Sequence, residues 1–301
     1  MKSVAIVGVG AVGAYYGCRM VEAGWDVRFL LRSDYPEVSR DGFRLASKDG
    51  DFEVKQPQVF QRSEEIGSVD LVVVAWKATA NPHAEKVIAP LLHEKTRILT
   101  LQNGLGNVEL LEDLFGKGRV LGALCFVGIN RLAPGQISHT VGGMVTVGEW
   151  EETGILSEMP CLFGEKIEVI LTEDLALAQW RKLVWNIPFN GLCVVGGFSD
   201  TRALLAEPGQ TEEVMLLMKE VQAAAQALGY SIEDRFLEGQ IARTRKMDDY
   251  KPSSLLDYLN DLPLEVEAIW GEPMRRAEQA GVAVPRLRVL YETLVKMIQA
   301  R

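Results

Sequence analysis

The chain opens with a short apolar run that ends in three regularly spaced glycines. Residues 4–7 read VAIV, and Gly8, Gly10 and Gly13 follow in the spacing GxGxxG. An unbroken apolar run is typical of a strand covered on both faces. The first glycine allows a sharp turn, the second lets backbone amides approach a pyrophosphate, and the third lets the next helix pack closely on the strand. The predicted cofactor-binding turn consists of Gly8, Val9, Gly10, Ala11, Val12 and Gly13.

The residues after the glycines supply the context that this motif needs. Residues 11–23 carry apolar side chains at helical spacing, and Gly24 stands where a glycine commonly ends a helix. Residues 25–31 have the pattern of a second strand. A GxGxxG motif alone is a weak signal, but strand, motif, helix and strand together predict a βαβ unit that binds a dinucleotide. The phosphate charge is then expected at the helix N-terminus.

The second predicted strand ends in FLLRS, with Arg32 followed by Ser33. In NAD sites an acid about 20 residues past the motif accepts hydrogen bonds from the ribose 2′-hydroxyl. A guanidinium can instead pair with a 2′-phosphate. Arg32 therefore favours NADP(H) as cofactor, and an arginine that is merely exposed at a strand end is the alternative.

Two further strands are predicted to end in polar side chains. Residues 70–75 and 97–101 are strand-like, and residues 82–92 between them are helix-like. Ligands of open α/β sheets lie beyond the carboxyl ends of the strands. Lys77 and Asn103 follow these strands and are candidate cofactor contacts, with Asn103 also a candidate for the substrate. Because a glycine follows Asn103, the pair is also a good turn dipeptide.

The rest of the first half predicts additional strands. Residues 43–60 contain short alternating pieces that predict a hairpin at the sheet edge. Residues 119–149 predict antiparallel strands with turns at residues 134–135 and 142–143. Residues 166–172 predict the last strand.

From residue 174 onward helical periods dominate. Residues 212–228 and 264–280 are long helix candidates, and a final helix is predicted to start at Pro285. Strands and helices followed by helices alone indicate two cores. We therefore predict an α/β protein with a Rossmann-type NADP-binding domain at residues 1–172 and an all-helical substrate and catalytic domain at residues 173–301.

Composition and charge exclude several functional classes. The net charge of -9 disfavours nucleic acid as a partner, and no apolar run is long enough to span a bilayer. With no targeting segment recognised, we expect a cytoplasmic protein without membrane contacts. The four cysteines lack CxxC spacing and are expected to be buried thiols, and the histidines lack metal-ligand spacing, so no metal site is expected. These residues are Cys18, Cys125, Cys161 and Cys193, with His83, His93 and His139.

The most informative stretch of the helical half is LALAQWRKLVWNIPFNGLC, residues 175–193. Lys182, Asn186 and Asn190 recur every four residues and share one helix face. A solvated face would carry several charges of mixed sign, whereas this one has one cation and two amides. Pro188 should kink the helix or disturb its backbone bonding near Asn186, and a helix that ends at residue 187 is the alternative. The predicted apolar stripe consists of Trp180, Leu183, Val184 and Ile187.

Over essentially its whole length the sequence resembles the ketopantoate reductases (2-dehydropantoate 2-reductases). The resemblance lies in GVGAVG, WKA, QNGLGN, WRKLVWNIPFN, SSLLDYL, LEVEAIWG and AGVAVP. It implies a Rossmann domain, a helical domain, and NADPH-dependent reduction of a 2-keto acid to pantoate in coenzyme A biosynthesis. The implied roles are Lys182 and Glu265 as catalytic residues that also contact the substrate, Glu265 at its hydroxyl. Asn186 and Asn190 are implied as substrate contacts, and Lys77 and Asn103 lie near cofactor and substrate.

The residue types suit this chemistry independently. A hydride that reaches a carbonyl carbon leaves negative charge on the oxygen, which an ammonium group such as Lys182 can stabilise and protonate. Ser254 is predicted to cap the helix of SSLLD through its hydroxyl, with Asp257 three residues on. The same helix N-terminus could accept a substrate carboxylate. Without the resemblance, Glu265 would be interpreted as an exposed helix glutamate beside Glu267.

The sequence also departs from the family pattern. Lys251 and Asp200 stand where asparagines are common, and the segment between the paired serines and the glutamate is one residue shorter. An aspartate near an anionic substrate would repel it, so another branched 2-keto acid is a candidate substrate. A β-hydroxyacid dehydrogenase and a nonenzymatic NADP-binding sensor are the alternative functions. A small-molecule 2-keto acid is the expected partner, and a homodimer is left open.

Overall fold

The glycine motif lies between two parallel strands, as predicted. In a computed structural model that describes residues 2–150, 154 and 156–301, β1 (Ser3–Val7) leads into α1 (Ala11–Glu22) and then into β2 (Asp26–Leu30). The two strands are hydrogen-bonded in parallel. Gly24 has φ +87°, a left-handed conformation that suits glycine, and it lies one residue past the C-cap Ala23 of the helix. The βαβ unit predicted from the sequence is therefore confirmed.

Eight more strands of the described residues join β1 and β2 in one mixed sheet. They are β3 (Phe43–Ser47), β4 (Phe52–Val54), β5 (Gln58–Phe60), β6 (Leu71–Val74), β7 (Arg97–Thr100), β8 (Val120–Ala133), β9 (Gln136–Glu149) and β10 (Val169–Thr172). The order is β4-β3-β9-β8-β7-β6-β1-β2-β5, and β10 pairs with β9. The block from β5 to β8 is parallel, whereas β8 with β9 and β3 with β4 are antiparallel. The fully buried residues of β6 fit a strand covered on both faces.

The helices that accompany the sheet are short. They are α2 (Tyr35–Asp41), α3 (Ser63–Ile66), α4 (Ala84–Ile88) and α5 (Asn107–Phe115). The helix predicted for residues 82–92 is only α4, flanked by 3₁₀ turns at Ala78–His83 and Ala89–Leu91. Each turn contains a proline, which has no N–H to donate to an α-helical ladder. This explains why one continuous helix does not form.

Two details of the predicted strands need correction. The edge hairpin predicted within residues 43–60 is confirmed for β3 and β4, which pair antiparallel at one edge, but β5 is not part of it and pairs with β2 at the opposite edge. The glycines at positions 142 and 143 do not make a turn between strands. They lie inside β9 with φ +68° and +124°, where the register against β8 shifts. They therefore form a bulge, for which positive φ favours glycine.

The second half consists of helices. They are α6 (Leu175–Val195), α7 (Thr201–Ala206), α8 (Gln210–Ala227), α9 (Asp234–Thr244), α10 (Ser253–Leu259), α11 (Glu272–Gln279) and α12 (Pro285–Gln299). The stripe predicted on α6 is buried, with Trp180 2% exposed and Val184 fully covered. Because α6 continues past Pro188 to Val195, the alternative of a helix ending at residue 187 is wrong. The α/β class, with a Rossmann-type N-terminal part and a helical C-terminal part, is confirmed.

The chain divides into two units, each with its own core. The first contains Met1–Gln102 and Asn107–Leu175, and the second contains Asn103–Gly106 and Ala176–Arg301. The sequence predicts a single boundary at residue 172 and does not anticipate the segment Asn103–Gly106 in the helical unit. Leu105 explains this assignment, because its side chain is 3% exposed within the helical core.

The cysteines are not all buried, which corrects the expectation from the sequence. Cys18 and Cys193 are buried, Cys125 is half-buried and Cys161 is exposed. Burial raises the pKa of the Cys18 and Cys193 thiols to about 12, so both remain protonated near neutral pH. Within the described part of the chain no metal-binding cluster is found. Over the same residues, every helix is too short or too polar to cross a bilayer.

A buried histidine links β3 to β9. His139 and Ser47 are register partners, and the ring Nδ1 lies 2.9 Å from the Ser47 hydroxyl. The Nε2 atom lies 3.0 Å from the Gly142 carbonyl oxygen, which can only accept a hydrogen bond. A neutral ring with its proton on Nε2 satisfies both contacts. Burial lowers the pKa of His139 below its usual 6.5.

We expect this histidine to make the free energy of unfolding depend on pH. Below pH 6.5 His139 takes up a proton in the unfolded chain, whereas in the folded protein the ring stays neutral down to a lower pH. The free energy of unfolding therefore decreases as the pH is lowered, by up to about 1.4 kcal/mol per pH unit. Urea unfolding between neutral and mildly acidic pH measures this slope. His139→Gln should flatten it, whereas His83→Gln, at an exposed position, should not. An unchanged slope in His139→Gln would contradict the assignment.

Candidate functional site

The three motif glycines have different surroundings. A Cβ atom on Gly8 would lie 2.1 Å from the Trp76 backbone nitrogen, and one on Gly13 would lie 2.2 Å from the Gly8 carbonyl oxygen. A Cβ atom on Gly10 would meet nothing within 4 Å. Gly8 and Gly13 are thus needed for close backbone packing. Gly10 leaves open space in front of the backbone, as expected where a phosphate approaches.

The glycine turn lies where the strand order of the sheet reverses. From β1 the chain goes to β2 on one side and later to β6 on the other, and ligands of open α/β sheets bind at such points. Lys77 follows β6 and is half-buried, and Val9, Ala11 and Val12 of the turn are also half-buried. No acid occupies the first turn of α1. The positive end of this helix therefore remains available to an anion.

Arg32 follows β2 and is exposed. The nearby acid, Asp34, is buried and forms an ion pair of 2.9 Å with Arg131. The Ser33 hydroxyl donates a second hydrogen bond of 2.9 Å to the same carboxylate. Because Asp34 is already paired, its charge is largely neutralised next to Arg32.

A second group of predicted residues comes together in the helical unit. Asn186 and Asn190 are buried on α6, one and two turns after the half-buried Lys182. The Lys182 Nζ atom donates a 2.8 Å hydrogen bond to Asn103 Oδ1. Asn103 belongs to the short segment assigned to this unit. The Lys182 ammonium is therefore held against the neutral Asn103 amide, on a helix face that also carries Asn186 and Asn190.

The cap of α10 differs from the prediction. The helix begins at Ser253 after Pro252, so Ser254 lies inside the first turn and its hydroxyl does not cap it. Instead, the backbone N–H of Ser254 donates a 2.9 Å hydrogen bond to Asn190 Oδ1. The predicted Ser254 cap is wrong, because an orphan N–H of the first turn takes its acceptor from a different helix. Ser254 itself is buried beside Asn190.

Glu265 is not the exposed helix glutamate that its sequence context suggests. It is 8% exposed and precedes the following helix, with its carbonyl oxygen accepting the Ile269 N–H at 3.1 Å. Glu267 is the surface residue of the pair: it binds Arg275 at 2.9 Å and accepts a 2.6 Å hydrogen bond from Tyr291. Its burial separates Glu265 from the surface glutamates around it, and it stays a candidate for contact with a ligand, as the resemblance implies.

Two family models match the chain, one for each half. The model described as ketopantoate reductase PanE/ApbA matches residues 4–152, and the one for its C-terminal part matches residues 174–299. The 2-dehydropantoate 2-reductase of Nostoc sp. is 39% identical, covering 97% of this chain and 94% of that protein. The chain belongs to the ketopantoate reductase family.

Solved structures agree with this assignment. The 2-dehydropantoate 2-reductase of Geobacter metallireducens matches with a TM-score of 0.95 and 40% identity, covering 98% of this chain and 99% of that one. The 2-dehydropantoate 2-reductase of Methylococcus capsulatus matches with a TM-score of 0.90 and 30% identity, and the match covers 99% of this chain and 97% of that one. The chain is thus an oxidoreductase of the ketopantoate reductase type. A D-mandelate dehydrogenase shares the fold at 20% identity and a TM-score of 0.90, covering 99% of both chains.

The two departures from the ketopantoate reductase pattern have different environments. Asp200 caps α7 by accepting a 2.8 Å hydrogen bond from the Ala203 N–H, which lowers the pKa of its carboxyl. Its charge therefore serves a helix N-terminus. Lys251 is exposed.

A polar network that the sequence patterns did not predict surrounds the ketopantoate reductase motif QNGLGN. Gln102 and Asn107 are buried, and both bind Asn81, at 2.8 and 2.9 Å. Asn81 in turn accepts a 3.2 Å hydrogen bond from the Trp76 indole. This network connects the segments that follow β6 and β7. Gln102 and Asn107, the polar residues at the two ends of the motif, were the sequence signal from which this network could have been predicted.

Substitution of Gly10 and Gly13 should separate ligand binding from folding. Gly10→Ala adds a methyl group to open space at φ -78°, so we expect a large loss of dinucleotide affinity with an unchanged melting temperature. Gly13→Ala forces a backbone shift and should cost about 1–3 kcal/mol of stability. Calorimetric titration and thermal unfolding measure the two effects. Unchanged affinity in Gly10→Ala would show that no phosphate approaches this position.

Proposed function

We propose that the protein reduces 2-dehydropantoate, or a closely related branched 2-keto acid, to the 2-hydroxy acid with NADPH. The observation that carries this proposal is the 2.8 Å hydrogen bond that holds the Lys182 ammonium against Asn103. Two buried amides, Asn186 and Asn190, lie on the same helix face. Family membership and the name of the Nostoc relative support the substrate class. Action in the cytoplasm, and a homodimer as an open alternative, remain predictions from the sequence.

Lys182 is the proposed general acid. When bound, NADPH supplies the hydride that adds to the substrate C2 carbon. The carbonyl π electrons move to the oxygen, which takes a proton from Lys182, and the lysine is reprotonated from solvent. An ammonium group at this oxygen stabilises the charge that develops there. Asn103 holds the ammonium group in place because its amide oxygen accepts one of the three N–H bonds.

The neighbouring residues are suited to orient the substrate. Amide groups of Asn186 and Asn190 can donate hydrogen bonds to the substrate carboxylate or carbonyl. An ionised Glu265 can accept a hydrogen bond from a substrate hydroxyl. Ser254 is proposed as a further substrate contact because it is buried beside Asn190. One lysine beside amide donors fits a small monoanionic keto acid better than a polyanion.

The first unit has the features that a dinucleotide requires. The open space at Gly10 and the acid-free start of α1 fit a pyrophosphate. Lys77 is proposed as a further cofactor contact. Arg32 is proposed to bind the 2′-phosphate, because the acid nearest to it in sequence, Asp34, is paired with Arg131. This arrangement favours NADP(H) over NAD(H).

Replacement of Lys182 tests the reaction. We expect Lys182→Met to lower kcat by about 10²- to 10⁴-fold with little change in NADPH affinity, because the proton donor is lost while the glycine turn is intact. Turnover is followed by NADPH absorbance with 2-dehydropantoate and a panel of 2-keto and 3-keto acids. Lys219→Met, in a surface ion pair with Asp234, is the matched control.

The outcomes distinguish the alternatives. Normal turnover by Lys182→Met would eliminate the proposed acid. Activity restricted to substrates with the carbonyl one carbon farther from the carboxylate would indicate a β-hydroxyacid dehydrogenase. NADPH binding without turnover of any keto acid would indicate a sensor.

Cofactor choice depends on Arg32 in this proposal. We expect Arg32→Ala to raise the Kd for NADPH about 10- to 100-fold and to leave that for NADH unchanged, since only the 2′-phosphate loses a charged partner. Fluorescence titration of the bound dinucleotide measures both values. Arg40→Ala, an exposed arginine paired with Asp41 on α2, removes the same charge and should change neither. Equal weakening of both ligands by Arg32→Ala would refute the assignment.

A further inference from the structure

The helix after Glu265 begins with a π-helical turn. Residues Glu267–Gly271 have π-helical bonding and continue into α11. The Glu272 N–H donates to the Glu267 carbonyl oxygen, five residues back. Wide turns of this kind are rare and often occur at functional sites. Because Glu272 bonds to Glu267 in this turn, the carbonyl oxygen of the next residue, Ala268, needs another hydrogen-bond donor.

That next carbonyl belongs to Ala268. A helical donor for it would be the N–H of residue 272, which binds Glu267, or of residue 273, which is a proline without an N–H. The Ala268 oxygen instead accepts a 2.9 Å hydrogen bond from the Leu105 N–H, outside the helix. Ala268 and Leu105 are both buried, 7% and 3% exposed. Water therefore does not replace this bond readily.

The hydrogen bond from the Leu105 N–H to the Ala268 oxygen holds the segment that carries Asn103 in place. A Cβ atom on Gly104 would lie 2.2 Å from the same Ala268 oxygen, so the two backbones are in close contact. The Leu105 side chain lies in the helical core. Asn103, two residues before Leu105, accepts the hydrogen bond from Lys182. A continuous chain of contacts thus joins Pro273 to the lysine ammonium.

We propose that Pro273 is a positioning residue for Lys182. By removing an N–H from the helix, it leaves the Ala268 carbonyl for Leu105 and so holds Asn103 against the lysine. This inference rests on the proposed function, because it assigns the lysine a role in turnover. Pro273 itself acts only through Ala268, Leu105 and Asn103.

An N–H at position 273 would compete for the Ala268 oxygen. In Pro273→Ala the new amide, or that of Glu272 after relaxation to an α-helix, can bond within the helix. Leu105 would then lose its buried acceptor, and Asn103 would no longer be held in one position. A displacement of about 1 Å near reacting groups can lower a rate by about 10²-fold.

Pro273→Ala is compared with Pro285→Ala, a proline at the start of α12 in the same unit. We expect Pro273→Ala to lower kcat by about 10- to 100-fold. The Kd for NADPH should remain close to wild type, and the melting temperature should fall only slightly, because the new bond within the helix offsets part of the cost of the bond that Leu105 loses. The control should change none of these. Hydrogen exchange at the Leu105 amide should accelerate about fivefold or more in Pro273→Ala, because the bond to Ala268 is weakened.

A double-mutant cycle with Asn103→Ala separates positioning from a general structural effect. If Pro273 acts through Asn103, adding Pro273→Ala to Asn103→Ala lowers kcat no further. Independent, multiplying losses would overturn the proposal, and so would wild-type kcat or unchanged Leu105 exchange in Pro273→Ala. If Lys182→Met is fully active, the proposed function fails. If Lys182→Met is inactive and Pro273→Ala behaves as wild type, only this inference fails.

Discussion

The candidate chemistry depends on keeping a lysine ammonium in a helix face that is otherwise apolar or amide-bearing. Burying a cation is costly unless hydrogen-bond acceptors replace the lost water. Asn103 provides one such acceptor at 2.8 Å, and it comes from a four-residue segment that the Leu105 side chain and N–H attach to the helical core. The position of the segment Asn103–Gly106 in the helical unit is thus part of the same arrangement that orients Lys182.

In the first unit, close backbone packing shapes the candidate cofactor-binding turn, as the Asn103 segment orients Lys182 in the second. Gly8 and Gly13 let β1, α1 and the segment after β6 approach to distances that exclude any side chain. Gly10 is not required for this packing. The glycine at position 10 is therefore better explained by the approach of a ligand than by packing within the protein. The helix start behind it, without an acid in its first turn, has the polarity that suits a phosphate.

Much of the fold and of the candidate site could be predicted from the sequence, because these parts depend on local patterns. The βαβ unit and the face of Lys182, Asn186 and Asn190 follow from spacing along one strand or helix. The failures involve partners that are distant in sequence. Ser254 precedes a helix pattern as a cap would, yet its N–H is bonded by Asn190, 64 residues earlier. The pairing of β5 with the far sheet edge and the burial of Glu265 also depend on tertiary contacts that no local pattern contains.

The hydrogen bond from Ser254 also determines what Asn190 can offer to a ligand. Its Oδ1 atom is occupied by the Ser254 N–H, which fixes the orientation of the amide. The remaining polar group of the side chain is the Nδ2 amino group, which only donates. A donor of this kind, on the same helix face as Lys182, suits a carboxylate or carbonyl oxygen and does not suit a cation. The bond at the start of α10 therefore also determines which polar group of Asn190 is left for the ligand that we propose, so the same side chain has a role in folding and a proposed role in recognition.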